Sequence, residues 1–398
     1  MPEKLTLRVL TLNCWGIPFF SSDIPARFQA IGEELRTGRY DLVSLQEAMS
    51  LQEVWSQDVY ERMVSQVEDV LPYHHYFYSG WHGSGLCIFS KHPIIGSHQY
   101  RFTLNGFPHT PHHPDWYGGK MVGLCQVQHP GAEINIYVTH THTEYNHEHD
   151  KDKAHRVSQA IELSQFIRHT GRSADVNILA GDLNNQPFEL GLKIIQSNTG
   201  MEDAWLVAEH KNVEDSGLTW NLDDNNYTCY PDYPPCRYDY VFYKGSARCR
   251  VKCVHCETTM HKVPGKPFNY SDHEGVLAHL ELEKVLDPSQ VKPAPLDQSE
   301  RDASLLQAVQ TLEEKIGSAA SSRLFYTAVL LLCLLLILPI TSLPLHPLVT
   351  SLISLLLGLL IGWSFWMGAV VTEMERRGCL ATKSGMEVLL NASSKKNI

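Results

Sequence analysis

Positive charge is in short supply. Thirty-three Lys and Arg stand against 44 Asp and Glu, a formal net charge of -11 over 398 residues. That balance argues against a chain whose affinity comes from phosphate backbones, because such affinity rests on clustered basic residues, and no nucleic-acid partner is expected. An N-terminal apolar run is missing too. MPEKLTLRVLTLN holds none of signal-peptide length, so no cleaved secretory signal is expected. Paired metal-finger cysteines are also lacking. The ten Cys are scattered along a chain far longer than the small disulfide-stapled class, and they read as reduced thiols of a cytosolic compartment. Cys253-x-x-Cys256, with Cys249 and His261 nearby, is a candidate zinc cluster. No second CxxC lies at metal-finger spacing, however, and RCRVKCVHC alternates as a strand does, so strand thiols are the expectation.

Apolar material is plentiful, at 43% of residues, enough for one large domain and attachments. From residue 6 to about 282, short Val/Ile/Leu-rich runs (LRVLTLN, DLVSLQE, GLCIFSK, EINIYVTH, DVNILAGDLN, YDYVFYK, GVLAHLEL) alternate with loops and helical stretches. ARFQAIGEELRTG and DKAHRVSQAIELSQFIRHTG have helical spacing and end at Gly. Strands outnumber helices, which predicts sheets packed face to face with helices outside. Polar residues at strand ends (Asn13, Glu47, His140, Asp182, Asn184) are not core residues, and they converge if those ends share one edge.

Composition changes after about residue 285. DPSQVKPAPLDQSERDAS reads as a linker, and LLQAVQTLEEKIG as an amphipathic stem with Leu305, Val309, Leu312 and Ile316 on one face. The stem either lies on a membrane or packs on the protein, or it dimerises as a coiled coil, which normally needs more heptads. Residues 324–371 carry no charge, about twice the roughly 20 residues that cross a bilayer. Pro344, His346 and Pro347 break the run, so two transmembrane helices, about 324–343 and 347–371, are predicted within 323–372. Arg323 precedes the pair and Arg376 and Arg377 follow it. Positive flanks favour the cytosolic side, which puts the large domain (1–284) and the tail (373–398) in the cytosol and the linker and stem at 285–322. The sequons at Asn226, Asn269 and Asn391 should then be unmodified.

Four short motifs carry chemistry: Leu12-Asn13-Cys14-Trp15, Leu45-Gln46-Glu47, Gly181-Asp182-Leu183-Asn184 and Ser271-Asp272-His273. Singly they are weak. Gly, Asp and Asn all suit a strand-to-turn junction, and an isolated Ser-Asp-His more often caps a loop. Their order, with the Thr-His step at His140 and Arg237-Tyr238-Asp239-Tyr240 between, resembles the endonuclease/exonuclease/phosphatase superfamily over roughly residues 6–282. TLNCWGIP (11–18), YVTHTHTEYN (137–146), AHRVSQA (154–160), GDLN and SDHE are more closely similar to its neutral sphingomyelinase branch, whose members with two C-terminal membrane helices resemble this chain over nearly its whole length.

The resemblance implies an α/β fold, a DNase I-like four-layer α/β sandwich followed by a transmembrane hairpin. It further implies Mg²⁺-dependent hydrolysis of sphingomyelin to ceramide and phosphocholine, with choline lysophospholipids as further substrates, at an intracellular membrane such as the endoplasmic reticulum. By resemblance His273 is the general base, Asp239 orients a catalytic imidazole, and Asp182 and Asn184 position water and phosphoryl oxygens. His140 is a second catalytic imidazole or phosphate donor; Asn13, Asp272 and one glutamate hold the metal. The physical requirements agree. A phosphodiester repels hydroxide, a divalent cation offsets that charge, and Mg²⁺ needs few protein oxygens. Lys120 is either a phosphate contact or a solvated lysine at a strand start; His155 either binds substrate or packs near the site. The dense His140, His142, His147, His149, His155 group suits a second metal or, for His147 and His149, an exposed loop.

Two glutamates compete for the metal. The branch has a stretch like DLxxLxEVWS; here DLVSLQE ends at Glu47 and LQEVWS contains Glu53, so AMSLQE looks like an insertion. The two lie about 20 Å apart along a strand at roughly 3.3 Å per residue. Equal strand lengths put Asn13 beside Glu47 at the rim, while Glu53 suits a helix N-terminus. Glu47 is the expectation. Other functions are a nuclease or phosphoinositide phosphatase of the same superfamily, or an inactive membrane adaptor that would lack Asp182, His273 or the glutamate.

Overall fold

The computed structural model describes residues 4–17, 20–48, 57–81, 83–110, 113–147, 149–212, 214–228, 230, 232–287 and 297–394. They form two compact units, residues 1–301 and 302–398. In the first, chain order is β1 (Lys4–Asn13), α1 (Ile24–Leu35), β2 (Leu42–Gln46), α2 (Gln57–Val67), β3 (Tyr73–Phe77), β4 (Leu86–Ser90), β5 (Ile94–Arg101), α3 (Asp115–Gly118) and β6 (Met121–His129). There follow β7 (Ala132–His140), α4 (Lys153–Thr170), β8 (Val176–Asp182), α5 (Leu190–Thr199), β9 (Glu202–Asp203), α6 (Ala204–Val207), β10 (Asp239–Gly245), β11 (Cys249–Thr259) and β12 (Gly275–Lys284).

These strands make two six-stranded sheets, ordered β11-β12-β1-β2-β4-β3 and β5-β6-β7-β8-β10-β9. Each has one parallel pair, β1 with β2 and β7 with β8, joined through α1 and α4. Alternation sorts the side chains. Leu7 and Val9 of β1 meet Ile134, Ile136 and Val138 of β7 and Val176, Ile178 and Ala180 of β8 in the core between the sheets. Leu10 and Leu12 turn the other way, onto Phe28, Ile31 and Leu35 of α1 and Met63 and Val67 of α2. On the far face, Tyr137 reaches α4 through Thr170 (2.9 Å) and Phe166 (6.0 Å between ring centroids). The result is the expected four-layer α/β sandwich.

The same parity locates the site. His140, Asp182 and Asp239 continue the inward-facing series of β7, β8 and β10 one step past the apolar core, and Asn13 continues that of β1 two steps past Val9, beyond the buried Thr11. β10 runs antiparallel to β8, with Asp239 opposite Asp182, and β12 antiparallel to β1, with Val276 opposite Thr11. The C-terminal ends of the parallel pairs and the starts of β10 and β12 therefore share one rim. Cys249, Cys253 and Cys256 lie in the inter-sheet core as strand thiols, and His261 pairs with Glu274 at 2.5 Å.

In the second unit, α7 (Gln298–Thr341) continues unbroken from the expected stem into the first apolar span. Gly317, the one glycine between Leu305 and Leu324, costs about 1 kcal/mol in a helix interior, too little to end it. After α8 (Pro347–Phe365) and a π-helical stretch, Trp366–Val371, comes α9 (Thr372–Ser394). α9 runs back along α7: Lys315 pairs with Glu375 (3.0 Å), Glu313 with Lys383 (2.7 Å), and Ser393 with Asp302 (3.1 Å). Leu305, Ala308, Leu312 and Ala319 are buried on one side and Cys379, Thr382 and Met386 on the other. Among the described residues, two helices are long and apolar enough to cross a membrane.

Candidate active site

The rim closes into a cleft of about 260 Å³. Asn13 sits at its centre. Its amide donates to Asp182 Oδ2 (3.0 Å) and Glu47 Oε1 (3.3 Å), and its Oδ1 accepts from Trp15 N (3.0 Å), which turns the chain out of β1. Glu47 follows Gln46, the partner of Asn13 in the β1–β2 ladder. Val43 and Leu45 face the helices, so alternation alone would send Glu47 there as well. A left-handed φ of 49° turns it toward the mouth instead. Non-glycine residues rarely adopt that conformation, and Trp15 and Asn184 at the neighbouring strand ends share it.

Glu47 Oε2 is buried with no hydrogen-bond partner. Burial, then the charge of Asp272, lifts this carboxyl to about 7, while Lys120, His273 and Asn13 oppose the rise. Asp272, lining the same cleft, is also raised, first by burial. His140 places Nε2 3.4 Å from Asp182 Oδ2 and Nδ1 3.8 Å from Glu47 Oε1. Burial, aided by the Lys120 charge, drives its pKa well below the usual value, so it is neutral. Asn184 donates its N–H to Asp182 Oδ1 (2.9 Å) and its amide to Thr141 O (3.0 Å).

His273 is held from two sides. Ser271 Oγ donates to Asn13 O (2.6 Å) and accepts from His273 N (3.2 Å), and His273 Nδ1 bonds Asp239 Oδ2 (2.8 Å). Burial alone would depress this imidazole, but Asp239, Asp272 and Asp182 face it and raise it to about 10. Burial lifts Asp239 too, to about 6, against the pull of His273. The shared proton resides on the imidazole, because three carboxylates favour it there. Nε2 stays open toward the cleft, 3.9 Å from Asp182 Oδ2.

Lys120 also lines the cleft, its Nζ 2.8 Å from Asp115 Oδ1. His155 does not. It is buried in the first turn of α4, where its Nδ1 accepts from Gly106 N (3.1 Å). With His142 and Asp152 it forms a second group of metal-competent side chains. That Gly106 bond occupies Nδ1 and leaves the ring proton on Nε2, so neither nitrogen of neutral His155 has a lone pair for a cation. His147 and His149 are exposed. Glu53 lies outside the described residues.

Sequence reasoning missed three supporting residues. Asp115, the first residue of α3 after a stretch rich in His and Pro, binds Lys120 and Tyr145 (2.6 Å) and is held well below the usual carboxylate range. Burial opposes this, but Lys120 and His142 outweigh it. Arg27 donates to Cys14 O (2.7 Å), Trp15 O (2.6 Å) and Tyr270 O (3.2 Å), stapling the exit of β1 to the approach of β12. It shares the buried stripe of α1 with Ile31 and Leu35, and an arginine on that stripe was the readable signal. Asn221, with φ of 60°, donates to the carbonyls of Tyr230 (2.8 Å) and Tyr233 (2.6 Å); nothing in the sequence marked it.

Residues 10–273 match the endonuclease/exonuclease/phosphatase family. Among curated relatives, mouse sphingomyelin phosphodiesterase 2 is 39% identical, covering 79% of this chain and 75% of its own length. The inositol phosphosphingolipids phospholipase C of Schizosaccharomyces pombe is 32% identical, covering 75% and 72%. Among solved structures, the β toxin of Staphylococcus aureus with bound magnesium ions superposes with a TM-score of 0.54 at 20% identity. It covers 69% of this chain and 99% of its own, which speaks to the fold.

Proposed function

Since the chain belongs to the neutral sphingomyelinase branch of the endonuclease/exonuclease/phosphatase family, we propose that it hydrolyses the phosphodiester of sphingomyelin at a membrane, giving ceramide and phosphocholine. The observation that carries this reading is the convergence of Glu47, Asp182, Asp272 and His273 around one cleft, with Asn13 bridging Glu47 and Asp182.

The donor set fits a hard divalent cation such as Mg²⁺. It is built of oxygens, and the buried, unpartnered Oε2 of Glu47 is a carboxylate oxygen in want of positive charge. Glu47, Asp272 and Asn13 are the residues that would hold it. When bound, such a cation supplies charge that offsets the carboxylates, lowers the affinity of His273 for its proton, and polarises a phosphoryl oxygen.

The remaining roles belong to the chain. Neutral His273 accepts the proton of the attacking water at Nε2. Asp239 keeps the other proton on Nδ1 and stabilises the imidazolium that forms. Asp182 and Asn184 hold the water and a phosphoryl oxygen in line with the scissile bond. His140, kept neutral, and Lys120 donate N–H bonds to the phosphoryl oxygens as negative charge accumulates.

In this reading residues 1–284 catalyse, 285–322 form linker and stem, 323–372 hold the two membrane helices, and 373–398 form a cytosolic tail. The Arg323 and Arg376–Arg377 flanks support a cytosolic catalytic domain at an intracellular membrane, with the endoplasmic reticulum as the proposed site. Tethering raises the effective concentration of lipid, including choline lysophospholipids. The fission-yeast relative gives an inositol phosphosphingolipid as the second reading. Purified protein incubated with sphingomyelin, lysophospholipid, an inositol phosphosphingolipid and a DNA oligonucleotide, with and without EDTA, tests these readings. Chelator-sensitive phosphocholine release is expected; DNA nicking without lipid hydrolysis would overturn the proposal.

A further inference from the structure

One wall of the cleft is aromatic, and hydrolysis itself gives it no task. Trp220, Tyr230, Tyr233 and Tyr238 all line it. The ring of Trp220 lies 5.5 Å from Tyr230 at 39° and 6.4 Å from Tyr233 at 76°, and Tyr230 lies 6.3 Å from Tyr233 at 73°. Rings at such mutual angles are not a flat stack and turn their π faces in more than one direction.

The wall is built into the fold. The Trp220 backbone exchanges hydrogen bonds with Cys236 (3.0 Å each way) and forms a bridge with His273. Asn221 holds the carbonyls of Tyr230 and Tyr233 together. Ordinary core packing does not account for it, since Tyr230 is 53% exposed. The backbone N–H of His147 donates to Tyr233 Oη (2.9 Å) and brings the 144–147 loop against that ring. Glu144 of this loop lines the cleft with its side chain 7% exposed, its Oε1 2.9 Å from His147 Nδ1 and its Oε2 3.8 Å from the buried Arg156 guanidinium, which Asp150 shares.

We propose that Trp220, Tyr230 and Tyr233, with the Glu144 carboxylate, hold the quaternary ammonium of a choline headgroup and so determine which phosphodiester the enzyme accepts. This rests on the phosphodiesterase reading above and adds to it the residues that select the headgroup. Trp220 lies 6.5 Å from the His273 ring. A phosphoryl group within reach of His273 therefore brings the ammonium, two carbons away, to the aromatic wall. A trimethylammonium has no N–H to satisfy, so it loses no hydrogen bonds among aromatic faces and gains cation–π attraction there. A primary ammonium has three donors to satisfy, and an inositol ring needs hydroxyl partners and carries no positive charge for Glu144.

The test uses the full-length protein in detergent micelles with three substrates that differ in headgroup: sphingomyelin, ceramide phosphoethanolamine and inositol phosphoceramide. The readout is the ratio of kcat/KM between substrates within each variant, so a loss of folded protein cancels. Wild type should prefer sphingomyelin. Trp220→Leu and Tyr233→Leu should each lower its preference over ceramide phosphoethanolamine by roughly tenfold, and Tyr233→Phe, which keeps the π face, should retain most of it. Unchanged ratios in both leucine variants, or a wild type indifferent to headgroup, overturn the cage while leaving the hydrolase reading intact. A wild type that cleaves none of the three substrates overturns the hydrolase reading and the cage with it.

Discussion

Burial and the charge of Asp272 lift the Glu47 carboxyl to about 7, and no hydrogen bond reaches its Oε2. The folded state therefore binds a proton there more tightly than the unfolded chain, whose glutamates titrate near 4.5. Metal-free protein should lose stability as pH rises from about 4.5 to 7, and that part of its stability returns as pH falls. Added Mg²⁺ should reverse the loss above pH 7 and do little at pH 5, where Glu47 is protonated. Glu47→Gln removes the uncompensated charge. Thermal melts in EDTA should show it more stable than wild type by about 1–3 kcal/mol, with no further gain from Mg²⁺. Glu53→Gln should leave both the melt and the Mg²⁺ response of wild type; a reversed pattern would move the ligand to Glu53. His273→Ala should lower kcat by about 10²–10⁴ with KM little changed. Asp239→Asn should lower kcat less while shifting the pH profile, because it orients His273 and touches no substrate.

The strands decide what these residues can do. Gly181 of β8 sits where an added Cβ would collide with the Thr139 carbonyl. Gly181→Ala should part β8 from β7 and destabilise the protein by about 2–4 kcal/mol, and it should displace Asp182 from His140; chemical denaturation with parallel activity measurements checks both. This strand geometry also governed what could be read beforehand. Asn13, Glu47, His140 and Asp182 were legible because each places a polar group where an apolar strand should end. β3 and β5 went unread because each is an edge strand of its sheet, with exposed His, Gln and Arg in place of an apolar run. The inward turn of Glu47 was not readable, since it depends on one left-handed φ and not on alternation. Asp115 acts through side chains and Asn221 through backbone carbonyls, contacts that no periodicity encodes, whereas Arg27 was legible as a charge on the apolar stripe of α1.

The whole molecule combines a sandwich whose site lies at one rim with a helical unit whose apolar spans expose leucines, among them Leu335, Leu338 and Leu348. α9 runs along the α7 stem and pairs with it through Lys315–Glu375 and Glu313–Lys383; the apolar side of that stem was expected from the sequence to face a membrane, the protein or another copy. If the catalytic domain faces the cytosol, Asn226, Asn269 and Asn391 stay unmodified, and glycosidase treatment of the cell-expressed protein should produce no gel shift. A shift would place at least part of the chain on the luminal side. The most direct test of the account is phosphocholine release from sphingomyelin in mixed micelles by the purified full-length protein. Release should be abolished by EDTA, restored by Mg²⁺ and absent in His273→Ala. Release unaffected by either EDTA or His273→Ala, or no release under any of these conditions, would contradict the account.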